Sequence, residues 1–272
     1  MSVIRAMYHR LKQFFRELIS FGVLEARACI FAGSFFVLLF LSNHIPLFGL
    51  ARYDFLFLAA ILIQVLLVLF KLETWEEVQT IFLFHIIGLV LELYKTSAAV
   101  GSWSYPEPAF FKLYTVPLYS GFMYAAVGSY ISQAWKYLRL RLEHMPDYRL
   151  CIALCVLIYI NFFTNHFIPD IRSLLIPLVF ILFFKTRIYF TVAKRVRWMY
   201  LNVGFLLTAF FIWIAENIST FYGAWKYPDQ IHAWNVVSTG KITSWFLLVI
   251  ISFIIVASLK HYRTTSLDEK NP

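Results

Sequence analysis

Two glutamates sit inside otherwise apolar stretches of this sequence, Glu92 in LFHIIGLVLELYKT and Glu216 in IAENISTFYG. A carboxylate among apolar residues is costly to bury, so such a group faces a protein interior and marks function. Each is followed, seven to nine residues later, by the same short phrase, GSWSYPE at 101–107 and GAWKYPD at 223–229. The phrase joins a glycine that permits chain reversal to a proline that stops a helix from resuming. An acid beside indole and phenol rings suggests proton donation to an alkene, with ring faces stabilising the resulting cation. In that reading Glu92 and Glu216 are the general acids, and Trp103, Tyr105, Trp225 and Tyr227 bind the substrate. An interfacial aromatic belt is the plainer alternative, yet a belt needs no fixed register behind an acid.

Other residues gather around the two acids. His85, Gly88, Glu92, Lys95 and Thr96 fall within about 100° of arc on a helix, a polar stripe on an apolar rod. Lys95, three residues beyond Glu92, offers either a catalytic partner or an internal ion pair that neutralises the acid. Asn43-His44 and Asn165-His166 each stand just before a proline, at corresponding places in the chain. A histidine at a helix end commonly serves as a structural hydrogen-bonder, but the duplication adds His44 and His166 to the catalytic candidates. Asn43, Asn165, His85 and Tyr124 complete the binding set. The cysteines are Cys29, Cys151 and Cys155, without CxxC spacing, and there is no HExxH pattern. No metal, disulfide framework or cofactor is therefore expected.

The elements that must position these residues read as membrane spans. The chain has 272 residues, 61% hydrophobic and only 14% charged, and the net charge of +9 is spread over short loops. That balance belongs to the membrane class, and the spread argues for orientation in a bilayer and against a nucleic-acid partner. Eight segments approach the length a span needs: 26–42, 53–70, 78–98, 113–135, 150–167, 171–186, 198–219 and 241–259. The expected fold is all-α, a polytopic membrane helix bundle of about eight transmembrane helices. The sixth segment is short and carries Pro177. Before the first span, Ile4, Met7, Leu11, Phe14, Phe15 and Leu18 recur at helical spacing opposite Arg5, Arg10, Lys12 and Arg16, predicting an amphipathic interfacial helix over Ile4 to Ser20. The positive-inside rule then puts both termini in the cytoplasm and the Trp–Tyr phrases outside. In the fourth segment, Gly121, Ala125 and Gly128 permit close helix approach, while Ser120 and Tyr124 share a face.

The chain also repeats itself. At one constant spacing, the 122 residues that separate Arg27 from Arg149, Cys29 matches Cys151, Asn43 matches Asn165 and His44 matches His166. The same spacing carries Gly101, Trp103, Tyr105 and Pro106 onto Gly223, Trp225, Tyr227 and Pro228. Two parallel four-helix repeats follow, about 21–142 and 143–260, within a single transmembrane domain that ends in a cytoplasmic tail, 261–272.

The phrases LFHIIGLVLELYKT, GSWSYPE, VPLYSGFMYAAVGSY, IAENISTFYGAWKYPD and GKITSWFLLVIISFIIVA resemble the YoaT-like family of bacterial inner-membrane proteins, a domain of unknown function. That resemblance runs from about Arg27 to Lys260 and implies a multi-pass protein of the bacterial cytoplasmic membrane. The order Glu92, Gly101, Trp103, Tyr105, Pro117, Leu118 is also similar to membrane carotenoid cyclases and hydratases. The cyclases follow Pro-Leu with paired glutamates, where this chain has Tyr119 and Ser120, so the hydratase pattern fits better. An enzyme acting on an isoprenoid, carotenoid-like or other lipid substrate by acid catalysis near the outer face is the leading expectation. A small-solute or ion transporter and a non-catalytic lipid-binding scaffold are the alternatives, and the sequence leaves the oligomeric state open.

Overall fold

The computed structural model describes residues 2–268, with side chains described from residue 7 to residue 260. Ile4 and Arg5 of the expected amphipathic helix, and the expected tail 261–272, lie outside the described side chains. Among the described residues there are nine α-helices: α1 (Ser2–Ala28), α2 (Ile30–Ser42), α3 (Arg52–Leu69), α4 (Trp75–Lys95), α5 (Ser120–Tyr137), α6 (Tyr148–Thr164), α7 (Arg172–Leu182), α8 (Leu201–Phe221) and α9 (Lys241–Asp268). Each of the eight expected segments overlaps one of them, but four helices, α3, α4, α8 and α9, are individually long and apolar enough to cross a membrane. The expected first span is a bent pair: α1 and α2 meet at Cys29 with a change of direction of 71° and together make a fifth candidate. Helices α6 and α7 are apolar but shorter.

The chain is mostly helical, as expected, but not wholly so. Among the described residues there are five short strands: β1 (Lys112–Leu113), β2 (Val116–Pro117), β3 (Arg141–Glu143), β4 (Arg187–Val192) and β5 (Arg195–Tyr200). Strands β1 and β2 form a small antiparallel pair, and β3, β4 and β5 form an antiparallel sheet in that order. The β4–β5 hairpin turns through Ala193 and Lys194, both in the left-handed region. Its alternating Ile188, Phe190 and Val192 suit a pleated surface, although Arg187, Lys194, Arg195 and Arg197 around them read as loop. The amphipathic helix is also longer than expected. Its apolar residues Met7, Leu11, Phe14, Phe15 and Leu18 are exposed, while Phe21, Leu24 and Ala28 pack with Leu138, Phe190 and Val192. Glu17 ties the helix to the hairpin through Arg195 and Arg197, which hold its carboxyl below the ordinary range after the hydrogen bond from Gln13.

Two helix pairs organise the core, α4 with α5 and α8 with α9, joined by packing of α5 on α9. The α4–α5 pair is close because glycines line it. A Cβ on Gly88, Gly121 or Gly128 would stand within 2.8 Å of Tyr124, His85 or Phe84. Helix α4 starts on a capping box: the Thr74 hydroxyl accepts from the Glu77 amide at 3.3 Å, and the Glu77 carboxylate accepts from the Thr74 amide at 2.8 Å. That reciprocal pair satisfies two of the amides a helix start leaves open.

Candidate functional site

The end of the bundle where α4, α6 and α8 finish is the end where α5, α7 and α9 begin. Glycine shapes the two phrases there, as the spacing predicts. Gly101 has φ +57° and Gly223 φ +70°. Behind Gly223 the Ala224 amide donates to the Ser219 carbonyl and the Gly223 amide to Thr220, the paired bonds of a glycine helix stop. The two phrases then meet. Ser104 and Lys226 exchange both backbone hydrogen bonds, at 2.9 and 3.0 Å, as an antiparallel bridge. Arg52 clamps the junction: it pairs with Glu107 of the first phrase at 2.7 Å and donates to the carbonyls of Tyr222 and Gly223 in the second.

Both acids are buried here, Glu92 at 2% exposure and Glu216 at 3%. Their partners are uncharged donors. Glu92 accepts from the Trp103 indole at 2.7 Å, from Tyr105 at 2.8 Å and from Tyr124 at 2.8 Å. Glu216 accepts from Tyr227 at 2.5 Å and from the Trp245 indole at 2.8 Å. Burial, and then the neighbouring carboxylate, holds the Tyr105 and Tyr227 phenols well above their ordinary range, which keeps them as O–H donors. Trp103 and Tyr227, one from each phrase, meet edge to face with ring centroids 6.1 Å apart.

The two acids line one cavity of about 440 Å³, together with Lys95, Trp103, Tyr124, Asn165, His166, Trp225, Tyr227 and Trp245. Volumes of this order, concave and with convergent polar groups, are those of small-molecule sites. The internal Glu92–Lys95 ion pair does not form. Instead the Lys95 ammonium donates to the Asn165 side-chain oxygen at 3.2 Å. His166 Nε2 lies 3.3 Å from the Ser102 hydroxyl.

Several candidates stand elsewhere. His44 is exposed, stacks on Phe40 and uses Nδ1 on the Phe40 carbonyl, and Asn43 donates to the Tyr222 carbonyl. Both are structural helix-end contacts outside the cavity lining. His85 is buried against Gly121 and Phe122, with no hydrogen-bond partner for Nδ1, and it too is outside the lining. Tyr105 acts from behind Glu92 and does not line the cavity. Conversely, Lys241, Arg172, Ser102 and Trp245 line it and were missed. The signal available for Lys241 and Trp245 was the phrase GKITSW at the start of the last span.

The family model described as "Protein of unknown function (DUF817)" matches residues 17–253. The chain is 48% identical over 251 residues to "Uncharacterized protein YoaT" of Bacillus subtilis (strain 168), an alignment that covers 92% of this chain and 94% of that protein. No solved structure matches.

Proposed function

The chain belongs to the DUF817 family, and we propose that it is a multi-pass membrane enzyme that protonates a lipid-like or isoprenoid-like substrate through Glu92 and Glu216. The observation that carries this is the arrival of both acids, one from each copy of the repeated phrase, in one aromatic-walled cavity. In the step proposed, a carboxyl group donates its proton to a substrate alkene, and a C–H bond forms as the π bond breaks. Indole and phenol faces stabilise the carbocation. The carboxylate left behind already faces its Trp and Tyr donors, charge-assisted bonds that need no rearrangement. Water then adds to the cation and returns a proton to the carboxylate.

The order Glu92, Gly101, Trp103, Tyr105, Pro117, Leu118 supports hydration over cyclisation. Where the carotenoid cyclases carry paired glutamates, Tyr119 donates to the Ala224 carbonyl and Ser120 is buried with no partner for its hydroxyl. Two parallel repeats are supported by the Ser104–Lys226 bridge, since these residues are equivalent under the repeat spacing. Orientation follows from charge. Lys136, Arg139, Arg141, Arg187, Lys194, Arg195 and Arg197 cluster around the sheet end, which we assign to the cytoplasm of a bacterial cell, leaving the cavity at the outer face. A transport path is disfavoured by the α4–α5 interface, where Gly88, Gly121 and Gly128 admit Tyr124, His85 and Phe84 without a gap.

The test is genetic and chemical. In the native host, E92Q and E216Q, each made at normal protein level, should reproduce the lipid and isoprenoid profile of a deletion strain by mass spectrometry. Profiles indistinguishable from wild type for both variants would overturn the proposal.

A further inference from the structure

The cavity contains cations that the proton-transfer reading leaves unused. Lys95 comes from the end of α4, Arg172 from the start of α7 and Lys241 from the start of α9, and all three line it. Neither acid forms an ion pair with them. Glu92 is satisfied by Trp103, Tyr105 and Tyr124, and Glu216 by Tyr227 and Trp245. Among the described residues, neither Lys95 nor Lys241 has a carboxylate within 4.0 Å. Lys95 reaches only the neutral Asn165 oxygen, and Lys241 lies over the Tyr227 ring at 4.4 Å and the Trp103 ring at 5.6 Å. Arg172 binds Asp170 through Nε at 2.6 Å and Ser244 through one terminal nitrogen at 2.6 Å. Two ammoniums with no ion-pair partner among the described residues, beside a guanidinium that is paired with Asp170, make a concave receptor for a negatively charged group.

An apolar crevice continues from the same cavity. It shares Leu91, Tyr124, Trp245 and Leu248 with the cavity and adds Phe84, Ile87, Val127, Ile212 and Ile255. Its volume is about 30 Å³. By that measure it has room for only about one or two waters, so the crevice is the closed apolar end of the cavity and the larger space above it is where a ligand chain fits.

Resting on the reading of the cavity as a ligand site, we infer that its ligand is an anionic amphiphile. A phosphate or carboxylate headgroup sits among Lys95, Lys241 and Arg172, and the hydrocarbon chain lies within the cavity itself, against Leu91, Met123, Phe162, Trp245 and Leu248. This arrangement places the chain beside the Glu92 and Glu216 carboxyls, which are neighbours of Leu91 and Trp245 in the shared wall.

The full chain, purified in neutral detergent micelles, would be titrated with farnesyl phosphate, farnesol and inorganic phosphate, and binding read by native mass spectrometry. Farnesyl phosphate should bind at least about tenfold more tightly than farnesol, about 1.4 kcal/mol, and K95M and K241M should each remove most of that preference. Equal binding of farnesol and farnesyl phosphate would overturn the headgroup assignment, with the E92Q and E216Q lipid profiles still standing as the separate test of catalysis. Inorganic phosphate bound as tightly as farnesyl phosphate would overturn the chain's place in the cavity. A preference unchanged in both lysine variants, with melting temperatures like wild type, would overturn the assignment of the site.

Discussion

Glu73, in the short turn between α3 and α4, shows what burial does to an acid away from the cavity. Ser129 donates to its carboxyl at 2.7 Å and Gln64 at 2.5 Å. Burial is the largest influence and raises its pKa; these two hydrogen bonds lower it, and nearby Glu77 raises it again. A carboxyl raised in the folded state contributes stability that is fully present below the ordinary carboxylate range and is lost as pH rises through the raised value. E73Q removes that titration. Its thermal midpoint in micelles, followed from about pH 4 to about pH 9, should gain on wild type as pH rises. A difference that stays constant over that window would show that Glu73 titrates alike in the folded and unfolded chains. At this scale the sequence was informative where an apolar context made a charge conspicuous, as at Glu92 and Glu216. It left Arg172 unmarked, because a basic residue at a helix start looks the same whether it faces water or a cavity, and it marked Lys241 only through the phrase GKITSW around it.

The packing of α4 on α5 was legible because Gly121, Ala125 and Gly128 are spaced to share a helix face. The partner groove was not, since Gly88 belongs to a different segment and its role depends on Tyr124 standing opposite. A Cβ at Gly88 would meet Tyr124 Cδ2 at 2.5 Å, and one at Gly128 would meet Phe84 Cδ2 at 2.3 Å. Each substitution to alanine should cost about 1–3 kcal/mol through overpacking, partly offset by about 1 kcal/mol of helix propensity. The two differ in what they push. G88A displaces the tyrosine that donates to Glu92, whereas G128A displaces a phenylalanine with no polar role. Both should melt earlier than wild type, but G88A alone should alter the lipid profile of the host. Equal profiles for the two variants would sink the assignment of Tyr124 to the site. The β4–β5 hairpin was hidden by composition: Arg187, Lys194, Arg195 and Arg197 carry the signature of a short charged loop. The break at Cys29 has no local marker, since neither proline nor glycine stands there, and we have no physical account of its position.

Across the whole molecule, the repeated phrase predicted that two distant parts of the chain would come together, and the Ser104–Lys226 bridge is where they do. Residues that exchange both hydrogen bonds in an antiparallel pair stand about 5.5 Å apart between Cα atoms, within reach of a disulfide. S104C/K226C should therefore oxidise to a cross-link, detected as two fragments held together after cleavage between them and separated by reductant. Failure to cross-link under oxidant would argue against the paired phrases. The proposed repeat is uneven in one respect, however: α7, which it would match with α3, has 11 residues where α3 has 18. At 1.5 Å per residue it rises roughly 16 Å, about half of the ~30 Å hydrocarbon thickness of a bilayer. If α7 spans as the proposed arrangement has it, the lipid beside it would have to dimple inward to follow it. With Arg172 at the start of that short helix, such a dimple would bring polar headgroups toward the cavity mouth and thin the barrier that the proposed ligand has to cross.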